Sequence, residues 1–597
     1  MFEQKNADPL FHVTLIGIWL GFAATIYFFF GLAGFIGSAW LNLFTAASVT
    51  AAALAFLVLG GATLRHANAL GRALGAVIVA LLAAEILLSL VPPTARDELT
   101  HHLAIPRLYA RAGRIMEVPM APYSYYPMLL DMLYTPWVHW RYDSVPKLIH
   151  CLYGFLTGLA LCAYLSRRMN VAYGLLGFFF FVSIPVVLRL NHWAYVDLGT
   201  TFYATASLLC LIRWREDQRA TRWLILAALS MGFTAATKPN GLVVVLILFF
   251  LMVATLTHEP GKFMGTIARP IFLFAAMAAL PFLPWLVKNW FQTGNPFFPL
   301  LARFFTANSN AGAGASTAVS FVGVGIFAKR EFLYGETWWQ IAALPLRVFF
   351  SGRDDNPQYF DGVLSPILIL FLPWAFKGKW LDEKKILASF ALLYFAYAFF
   401  LVDMRVRYIL PIVPPLVALA VYGVFNIYLR VKRPATLFAA LLIFAALPGV
   451  FLWRYFEAVR PTRYLTGQES RETYLTRVVT EYPVFAYINR ELPATAKIYL
   501  LFIGRRGYYC ERDYVHDGGD LPGLLMSVIQ SAKDSSEIGK AFKKQGITHL
   551  MVRENLLVRF LNNNLSRSQQ IVWNGFVTQQ LRPRIRDRGY ALYQLDG

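Results

Sequence analysis

Long uncharged apolar runs recur along most of the chain and constrain the fold more than any other feature. The first, "FHVTLIGIWLGFAATIYFFFGLAGFIG", contains no Asp, Glu, Lys or Arg. About 20 apolar residues suffice for a helix to cross a bilayer, and this run is too long for the core of a cleaved signal peptide. Charged residues make up only 15% of the chain, against about 25% in soluble domains. The sequence therefore predicts a mainly α polytopic membrane protein.

Taking each run as a span predicts about thirteen transmembrane helices. Their predicted positions are 11–35, 41–62, 72–92, 145–166, 171–189, 194–213, 222–237, 240–257, 269–288, 364–376, 384–402, 408–428 and 434–453. We expect residues 1–455 to form a transmembrane domain. Residues 460–597 alternate helix-like runs ("VFAYINREL", "SSEIGKAFKKQG") with strand-like runs ("AKIYLLFI", "THLMVRE", "ALYQL"), which predicts a small C-terminal α/β domain.

The net charge of +21 would favour nucleic-acid binding in a soluble protein, but here its distribution relative to the membrane decides its meaning. Lys and Arg are concentrated in alternate short loops such as "SRRMN" and "RWREDQRATR", which is typical of the cytoplasmic side. We therefore expect a cytoplasmic N-terminus and an outward-facing C-terminal domain. The predicted partners include membrane lipids and no nucleic acid. Four cysteines give no disulfide framework.

Two loops on the predicted outer side are long. Residues 93–143 contain "HHLAIPRLYARAG" and "YYPMLLDMLYTPWVHW", which we expect to be amphipathic helices at the membrane interface. Residues 289–363 contain the amphipathic "ETWWQIAALPLRVFF" and a small-residue stretch, "NSNAGAGAST". This stretch predicts a mobile lid over a site.

The segment "VPPTARDELTHHL" follows the third predicted span and carries the first candidate site. An α-helix would place His101 over Asp97 and His102 over Glu98, since residues four apart are neighbours on a helix. A structural alternative is a capping box formed by Thr94 and Asp97. A divalent metal site is a further alternative, although the pattern matches neither HExxH nor HxxEH. No cofactor is predicted with certainty.

Charged residues also stand at the predicted outer ends of several spans. Each could be a snorkelling side chain or a helix-end charge, but the positive-inside rule predicts few basic residues on this face. Basic groups beside carboxylates there indicate an anion-binding pocket. Such a pocket suits a lipid-linked phosphate, held by the cations while a carboxylate removes a proton from an attacking hydroxyl. The residues are Asp197, Lys238, Lys288, Arg405 and Arg407.

The layout resembles the GT-C glycosyltransferases, and within them the bacterial branch related to protein O-mannosyltransferases and aminoarabinose lipid A transferases. The resemblance covers the membrane region and, more weakly, the tail. One departure is that the family's acidic motif usually follows the first span, whereas here it follows the third. The matching segments are "RDELTHHLAIPRLYARAGRI", "YSYYPMLLDMLY", "AYVDLGTTFYA", "TKPNGL", "NWFQTGNPFFP", "FDGVLSPILILFLPW" and "RVRYILPIVPPLVAL".

The resemblance implies an inverting hexosyl or pentosyl transferase on the outer face of a bacterial inner membrane. It would move a sugar from a polyprenyl-phosphate donor to a hydroxyl of a lipid, glycan or protein acceptor. Asp97 would be the general base and Glu98 its acceptor-orienting neighbour, while Asp197 matches a second acidic position, with which we group His101 and His102. The residues that would bind the donor phosphate are Lys238, Lys288, Arg405, Arg407 and Tyr408.

A transporter or flippase of lipid-linked sugar is the alternative from another functional class, because it would need the same phosphate-binding cations. Transporters tend to have internal repeats and charges near the bilayer midplane, and we find no repeat. A scaffold whose tail binds a partner would explain the tail but not the acidic segment. The enzyme hypothesis requires Asp97, Asp197, Lys238 and Arg407 to converge. In the tail, Arg505 and Arg506 form either a binding edge or a solvated loop.

Overall fold

The computed structural model describes residues 8–257, 264–305, 325–377, 382–431, 434–517 and 523–596. The helices up to residue 293 are α1 (Pro9–Leu32), α2 (Ala39–Arg65), α3 (Ala69–Ser89), α4 (Ala104–Ala112), α5 (Leu129–His139), α6 (Val145–Arg168), α7 (Val171–Val182), α8 (Pro185–Asn191), α9 (Asp197–Glu216), α10 (Thr221–Thr237), α11 (Gly241–Thr257) and α12 (Met264–Thr293). A π-helix spans Glu98–His102, and a 3-10 helix spans Pro122–Tyr125.

The helices of the next part are α13 (Ala302–Phe305), α14 (Ile326–Tyr334), α15 (Trp338–Ala342), α16 (Leu344–Phe350), α17 (Ile367–Leu370), α18 (Leu372–Ala375), α19 (Asp382–Leu401), α20 (Val413–Tyr428) and α21 (Pro434–Val459). Two further 3-10 helices span Pro357–Tyr359 and Val406–Ile412.

The C-terminal part contains α22 (Pro461–Leu465), α23 (Arg471–Val478), α24 (Tyr482–Glu491), α25 (Leu524–Ser531), α26 (Ser535–Lys544), α27 (Glu554–Asn564) and α28 (Arg567–Gln580). Its strands are β1 (Lys497–Leu501), β2 (Asp513–His516), β3 (His549–Arg553), β4 (Leu581–Asp587) and β5 (Tyr590–Leu595).

The ends of the helices follow from local sequence chemistry. Asp8 accepts a hydrogen bond from the Leu10 amide at 3.1 Å and Pro9 occupies the first turn, so α1 begins there. Ile184 is held in an extended conformation before Pro185, and this break separates α7 from α8 by a 73° bend. The bend turns one predicted span into two helices that point in different directions.

Several of these helices are membrane spans, and the chain is an integral membrane protein. Among the described residues, 7 helices are long and apolar enough to cross a membrane, or 8 if the bent pair α7–α8 counts as one. Three of them, α1 to α3, precede the acidic segment, as predicted. The predicted span 364–376 breaks into α17 and α18, each only 4 residues long. The full count of about thirteen stays a prediction.

The spans divide into a buried centre and a lipid-facing periphery. Within its most apolar window α6 is 94% buried, whereas α2 is 28% buried and exposes Leu43, Leu54 and Val58. Apolar side chains that stay exposed on a spanning helix face lipid, where no hydrophobic penalty arises. The centre therefore consists of α6, α9, α10 and α20, whose side chains are mostly buried.

The C-terminal part folds around a five-stranded sheet in the order β2-β1-β3-β5-β4. The three strands β1, β2 and β3 are parallel, and β5 is antiparallel to β3. Arg588 and Gly589 both have positive φ and join β4 to β5 in a two-residue hairpin. The predicted small α/β fold is confirmed, but β2 and β4 had not been predicted. Both are edge strands, and β4 carries exposed Arg and Pro side chains in place of an apolar run.

The two long loops that were predicted to lie on the outer side agree only partly with the predicted interfacial helices. In α5 nearly every side chain is buried, since it packs among α1, α4 and α6, so the prediction that this helix is amphipathic, with one exposed face, was wrong. In α15 both tryptophans are exposed, with Trp338 at 74%, and in α16 Phe350 is exposed while Phe349 is buried, so this segment has the exposed aromatic face that fits an interfacial position. The predicted mobile lid, "NSNAGAGAST", lies outside the described residues.

Candidate active site

The acidic segment folds into a π-helix at Glu98–His102, closed by a hydrogen bond of 3.0 Å from the Leu103 amide to the Glu98 carbonyl. In this winding a residue four positions on no longer lies directly above its partner, because the backbone bonds connect residues five apart. The predicted stacking of His102 on Glu98 was therefore wrong. π-helical turns occur often at functional sites.

Glu98 is completely buried and fixes the backbone of this segment. One carboxylate oxygen accepts hydrogen bonds from the amides of Thr94 and Ala95 at 2.9 and 2.8 Å, and the other accepts one from Ala194 at 2.6 Å. The capping role weighed for Asp97 thus belongs to Glu98. Burial raises the pKa of Glu98 despite these bonds. Because backbone amides engage both oxygens, the geometry supports a role for Glu98 in positioning the Asp97 segment. It does not support direct contact between Glu98 and an acceptor.

Asp97 forms an ion pair with Arg407, which stands at the start of the 3-10 helix Val406–Ile412. The Asp97 amide donates a hydrogen bond to the Tyr195 hydroxyl at 3.2 Å. Burial alone would raise the pKa of Asp97, but the Arg407 guanidinium outweighs it and holds that pKa well below its usual range. Asp97 is therefore a carboxylate at neutral pH, with 18% of its side chain still exposed.

Lys238 caps the end of α10 and reaches Asp197 at the start of α9, with 2.6 Å between Nζ and Oδ1. Its ammonium also lies 4.9 Å from the centre of the Tyr408 ring, and the Arg407 guanidinium lies 5.0 Å from the same ring. The four residues required to converge, Asp97, Asp197, Lys238 and Arg407, thus meet around Tyr408.

Two polar atoms of this cluster have unused hydrogen-bonding capacity. Asp197 Oδ2 and Arg407 Nε are both buried without a hydrogen-bond partner among the described residues. Buried polar groups are normally paired, and those left unpaired carry an energetic cost. Such atoms are typical of a site that completes its hydrogen bonds with a ligand.

His101 and His102 lie beside this cluster, and His102 is held in place by Asp131, a residue that had not been predicted from the sequence. His102 Nδ1 is 2.9 Å from Asp131 Oδ1 of α5, and the His101 ring stacks on Tyr123 at 4.4 Å. Burial lowers the pKa of His101 to about 3 and of His102 to about 4, and raises the pKa of Asp131 to about 8. Both imidazoles are therefore neutral at pH 7. The one sequence signal was a lone Asp within the apolar "YSYYPMLLDMLY".

Lys288 lies apart from the cluster. Its ammonium donates a hydrogen bond to the Ser124 carbonyl at 2.6 Å and lies 5.7 Å from the Trp285 ring, and among the described residues no member of the cluster contacts it. The neighbouring Asn289 binds the Tyr125 carbonyl at 2.8 Å. These contacts join the end of α12 to the 3-10 helix Pro122–Tyr125, so the geometry does not support the predicted donor-binding role of Lys288.

Arg405 lies at the edge of the cluster and is already neutralised. Its guanidinium is 3.1 Å from Asp403 and 3.7 Å from Asp361, and it lies 6.0 Å from the Tyr408 ring. Arg407, whose carboxylate partner is Asp97, lies closer to the same ring. The geometry therefore favours Arg407 over Arg405 as the guanidinium that faces a bound anion.

The C-terminal part packs directly against the Asp97 segment. The Tyr508 amide donates to the Leu99 carbonyl at 3.3 Å, and the Tyr509 hydroxyl donates to the Pro93 carbonyl at 2.6 Å. Of the two arginines predicted as a binding edge or a solvated loop, Arg506 is held by Glu481 at 3.0 Å. The tail therefore supports the acidic segment from one side.

For the alternative of a divalent metal site, the described part of the chain contains no group of three or more His, Cys, Asp and Glu side chains that could hold an ion. His102 is occupied by Asp131, and Asp97 is occupied by Arg407.

Part of the sequence matches a known protein family, and the fold is similar to that of solved structures. Residues 139–294 match the family "Dolichyl-phosphate-mannose-protein mannosyltransferase", a range that includes Asp197 and Lys238 but not Asp97 or Arg407. No curated protein matches the sequence.

Two solved structures of ArnT from Cupriavidus metallidurans have a similar fold. The form bound to undecaprenyl phosphate is 13% identical with a TM-score of 0.51, over 87% of this chain and 97% of that one. The apo form is 13% identical with a TM-score of 0.52, over 87% and 96%. The oligosaccharyltransferase AglB from Archaeoglobus fulgidus matches at a TM-score of 0.41 and 10% identity, over 87% and 74%. The likeness to the two ArnT structures confirms the predicted fold, a helical polytopic membrane protein with a small C-terminal α/β part.

Proposed function

We propose that this protein is an inverting glycosyltransferase that moves a sugar from a polyprenyl-phosphate donor to a hydroxyl of an acceptor. The observation that carries the proposal is the convergence of two carboxylates and two cations around Tyr408. The ArnT structure that shares the fold was solved with undecaprenyl phosphate bound, and the family matched by residues 139–294 is named for a dolichyl-phosphate-linked mannose donor.

The donor phosphate would bind between Lys238 and Arg407. Each cation holds one carboxylate and also lies within 5.0 Å of the centre of the same Tyr408 ring, so a phosphate entering there meets two positive charges. The free Arg407 Nε supplies a hydrogen-bond donor without breaking the pair with Asp97. Charge-assisted hydrogen bonds to phosphate are roughly twice as strong as neutral ones, and they would strengthen as negative charge develops on the leaving group.

The reaction exchanges one carbon–oxygen bond for another. The acceptor hydroxyl oxygen attacks the anomeric carbon from the face opposite the phosphate, which inverts the configuration. The bond between the anomeric carbon and the phosphate oxygen breaks, and polyprenyl phosphate leaves with the electron pair. Asp97 accepts the hydroxyl proton late in the attack, while Lys238 and Arg407 stabilise the charge on the phosphate.

The low pKa of Asp97 makes it a weak base while Arg407 is fully engaged with it. The negative charge of a donor phosphate beside Arg407 partly offsets the effect of the guanidinium on Asp97, which would raise the pKa of Asp97 towards its ordinary value. Donor binding and base strength would then be coupled through a single arginine. Because a phosphate is a good leaving group, positioning and charge contribute more than a strong base does.

The positions of the charges support transfer over transport. Asp197 opens α9, Lys238 follows the end of α10, and Arg407 lies in the first turn of the span Val406–Tyr428. Transporter sites are instead built near the bilayer midplane. We place this end of the spans on the outer face of a bacterial inner membrane, with the N-terminus cytoplasmic, because Lys and Arg are concentrated in the opposite loops.

The test is a panel of polyprenyl-phosphate donors with radiolabelled sugars, presented to the purified full-length protein together with membrane extracts as acceptors. We expect the wild type to release polyprenyl phosphate from one donor and to label the extract. Asp97→Asn should retain donor binding and lose at least 100-fold in release, since general base catalysis contributes about 10²–10⁴-fold.

Asp217→Asn is the matched control, because it makes the same change at an exposed aspartate that lies beyond α9, outside the cluster. It should release polyprenyl phosphate at the wild-type rate. Binding of a donor that no extract consumes, with Asp97→Asn indistinguishable from the wild type, would refute the proposed transfer.

A further inference from the structure

A cleft of about 580 Å³ lies between the outer helices and the C-terminal part, apart from the Tyr408 cluster. One wall is formed by α4 and the end of α5, and the other by α23, α24 and the segment after Tyr508. Its volume is within the range of small-molecule sites. Five arginines line it: Arg107, Arg111, Arg141, Arg471 and Arg512.

The charges of this cleft do not balance. Its carboxylates are Asp143, which pairs with Arg471, and Glu511, which lies 3.3 Å from Arg107 and 3.8 Å from Arg141. Five guanidinium groups against two carboxylates leave three positive charges uncompensated.

Two of the arginines have no carboxylate partner among the described residues. Arg111 donates to the Cys510 carbonyl at 2.9 Å, and Arg512 donates to the Leu492 and Asn489 carbonyls at 2.7 Å. The pKa of Arg111 lies below its ordinary value, because its guanidinium is partly desolvated and faces Arg107. Clustered cations with too few anions are expected where an anionic ligand supplies the missing charge.

We propose that this cleft binds a phosphate-bearing group. The planar guanidinium matches the oxygen geometry of phosphate, and an excess of three positive charges suits a group that carries two or more negative charges better than it suits a single carboxylate. The Arg107 side chain is already held in place in the cleft, since its guanidinium stacks on the Tyr508 ring at 5.1 Å and the Tyr508 hydroxyl donates to Asp143 at 3.2 Å. On the proposed transfer function, on which this part rests, the phosphate would belong to the acceptor.

The cleft shares a wall with the Asp97 segment. Tyr508, which lines the cleft, binds the Leu99 carbonyl through its amide, and the neighbouring Tyr509 binds the Pro93 carbonyl. An anion held by Arg107 and Arg111 would therefore lie next to Tyr508, whose amide binds the Leu99 carbonyl in the segment that carries Asp97. This gives the C-terminal part a role in acceptor recognition.

The experiment measures binding of inorganic pyrophosphate to the full-length protein in detergent, at constant ionic strength and with polyprenyl phosphate saturating the Tyr408 cluster. The readout is the unfolding temperature as a function of pyrophosphate concentration. For Arg111→Gln/Arg141→Gln we expect the half-saturating concentration to rise at least tenfold. Arg114→Gln, an exposed arginine that follows α4 and does not line the cleft, should match the wild type.

A second arm replaces pyrophosphate with short-chain phosphatidic acid in mixed micelles. Binding of pyrophosphate alone would assign the phosphate to a soluble group, and binding of phosphatidic acid would assign it to a lipid headgroup. Equal half-saturation in the double variant, the control and the wild type would overturn the proposal.

Binding of polyprenyl phosphate is measured in the same preparations. Its retention by the double variant shows an intact fold and an intact donor site, so a loss of pyrophosphate binding then belongs to the cleft. Failure of the transfer function would instead leave pyrophosphate binding in place while no donor is consumed.

Discussion

Arg407 forms an ion pair with Asp97 across 310 positions of sequence, and this pair joins the span that begins at Val406 to the acidic segment after α3. The same guanidinium faces the Tyr408 ring, which the Lys238 ammonium also faces. The carboxylate proposed as the base and the cations proposed to hold the phosphate are therefore parts of one charge network, so a change in one should alter the others.

Arg407→Gln should destabilise the protein, because it leaves a largely buried carboxylate without a counter-charge. Removing one partner of a fully buried pair costs about 3–5 kcal/mol, and we expect about 2 kcal/mol here, since the side chains keep 14% and 18% exposure. The measurement is the free energy of unfolding in detergent.

The double variant Asp97→Asn/Arg407→Gln is the control for this pair. It removes both charges together and should recover at least half of the loss, as expected for coupled residues. If the loss of unfolding free energy in the double variant equalled the sum of the losses in Asp97→Asn and Arg407→Gln, the ion pair would contribute no interaction energy.

Lys238→Gln and Lys288→Gln should separate donor binding from structure. Lys238 lies in the cluster with Asp197, so its loss should weaken polyprenyl phosphate binding at least tenfold. Lys288 binds the Ser124 carbonyl, so its loss should lower stability and leave the dissociation constant for polyprenyl phosphate within twofold of the wild type. If both variants weakened polyprenyl phosphate binding equally, the predicted donor-binding role of Lys288 would be supported.

Glu98→Gln should reduce the rate of transfer without weakening donor binding. An amide nitrogen cannot accept a hydrogen bond, so either the pair from Thr94 and Ala95 or the one from Ala194 loses its acceptor. A buried unsatisfied group costs about 1–3 kcal/mol, and the Asp97 segment would lose its fixed position. The readouts are the unfolding temperature and the rate of polyprenyl phosphate release.

Glu331→Gln is the matched control, because Glu331 is exposed on α14. It should change neither quantity. An unfolding temperature for Glu98→Gln equal to that of the wild type would contradict the positioning role.

The Asp131–His102 pair predicts a pH dependence of stability. Burial raises the pKa of Asp131 from 3.8 to about 8, so the fold favours its protonated form. A group whose pKa is raised on folding contributes most below its ordinary pKa, and that contribution is lost as the pH rises to the folded value. The unfolding temperature of the wild type relative to Asp131→Asn should therefore fall between about pH 4 and pH 8.

Folding lowers the pKa of His102 from 6.5 to about 4, so His102 adds stability that increases with pH between these two values. This contribution is present in both proteins and cancels in the difference between them. A difference between the two proteins that stays constant from pH 4 to pH 8 would show that Asp131 is ionised throughout.

The helices and strands that could be predicted from the sequence are those encoded by a run of neighbouring residues. They include the apolar spans, among them the three before Asp97, and the apolar strands β1, β3 and β5. The convergence of Asp97 with Arg407 followed from a charge argument, because outward basic groups beside carboxylates require a reason to be there.

The failures have local causes. A π-helical turn has no pattern in the sequence distinct from an α-helix, so the pairing of His102 was misplaced. Glu98 and Asp97 are adjacent and chemically alike, and only the backbone path decides which of them caps the segment. Asp131 stands in an apolar run like any isolated polar residue, and its partner comes from another element. Lys288 resembles Lys238 in sequence position but meets a carbonyl instead of a carboxylate.

The most direct test uses proteoliposomes and a donor labelled with ³H in the polyprenyl chain and ¹⁴C in the sugar, with an acceptor extract outside. The account predicts that ¹⁴C moves to the acceptor and one [³H]polyprenyl phosphate is released for each sugar transferred. Asp97→Asn should lose both signals together. Movement of intact doubly labelled donor between leaflets, with no separation of the labels and no effect of Asp97→Asn, would contradict the account and favour a flippase.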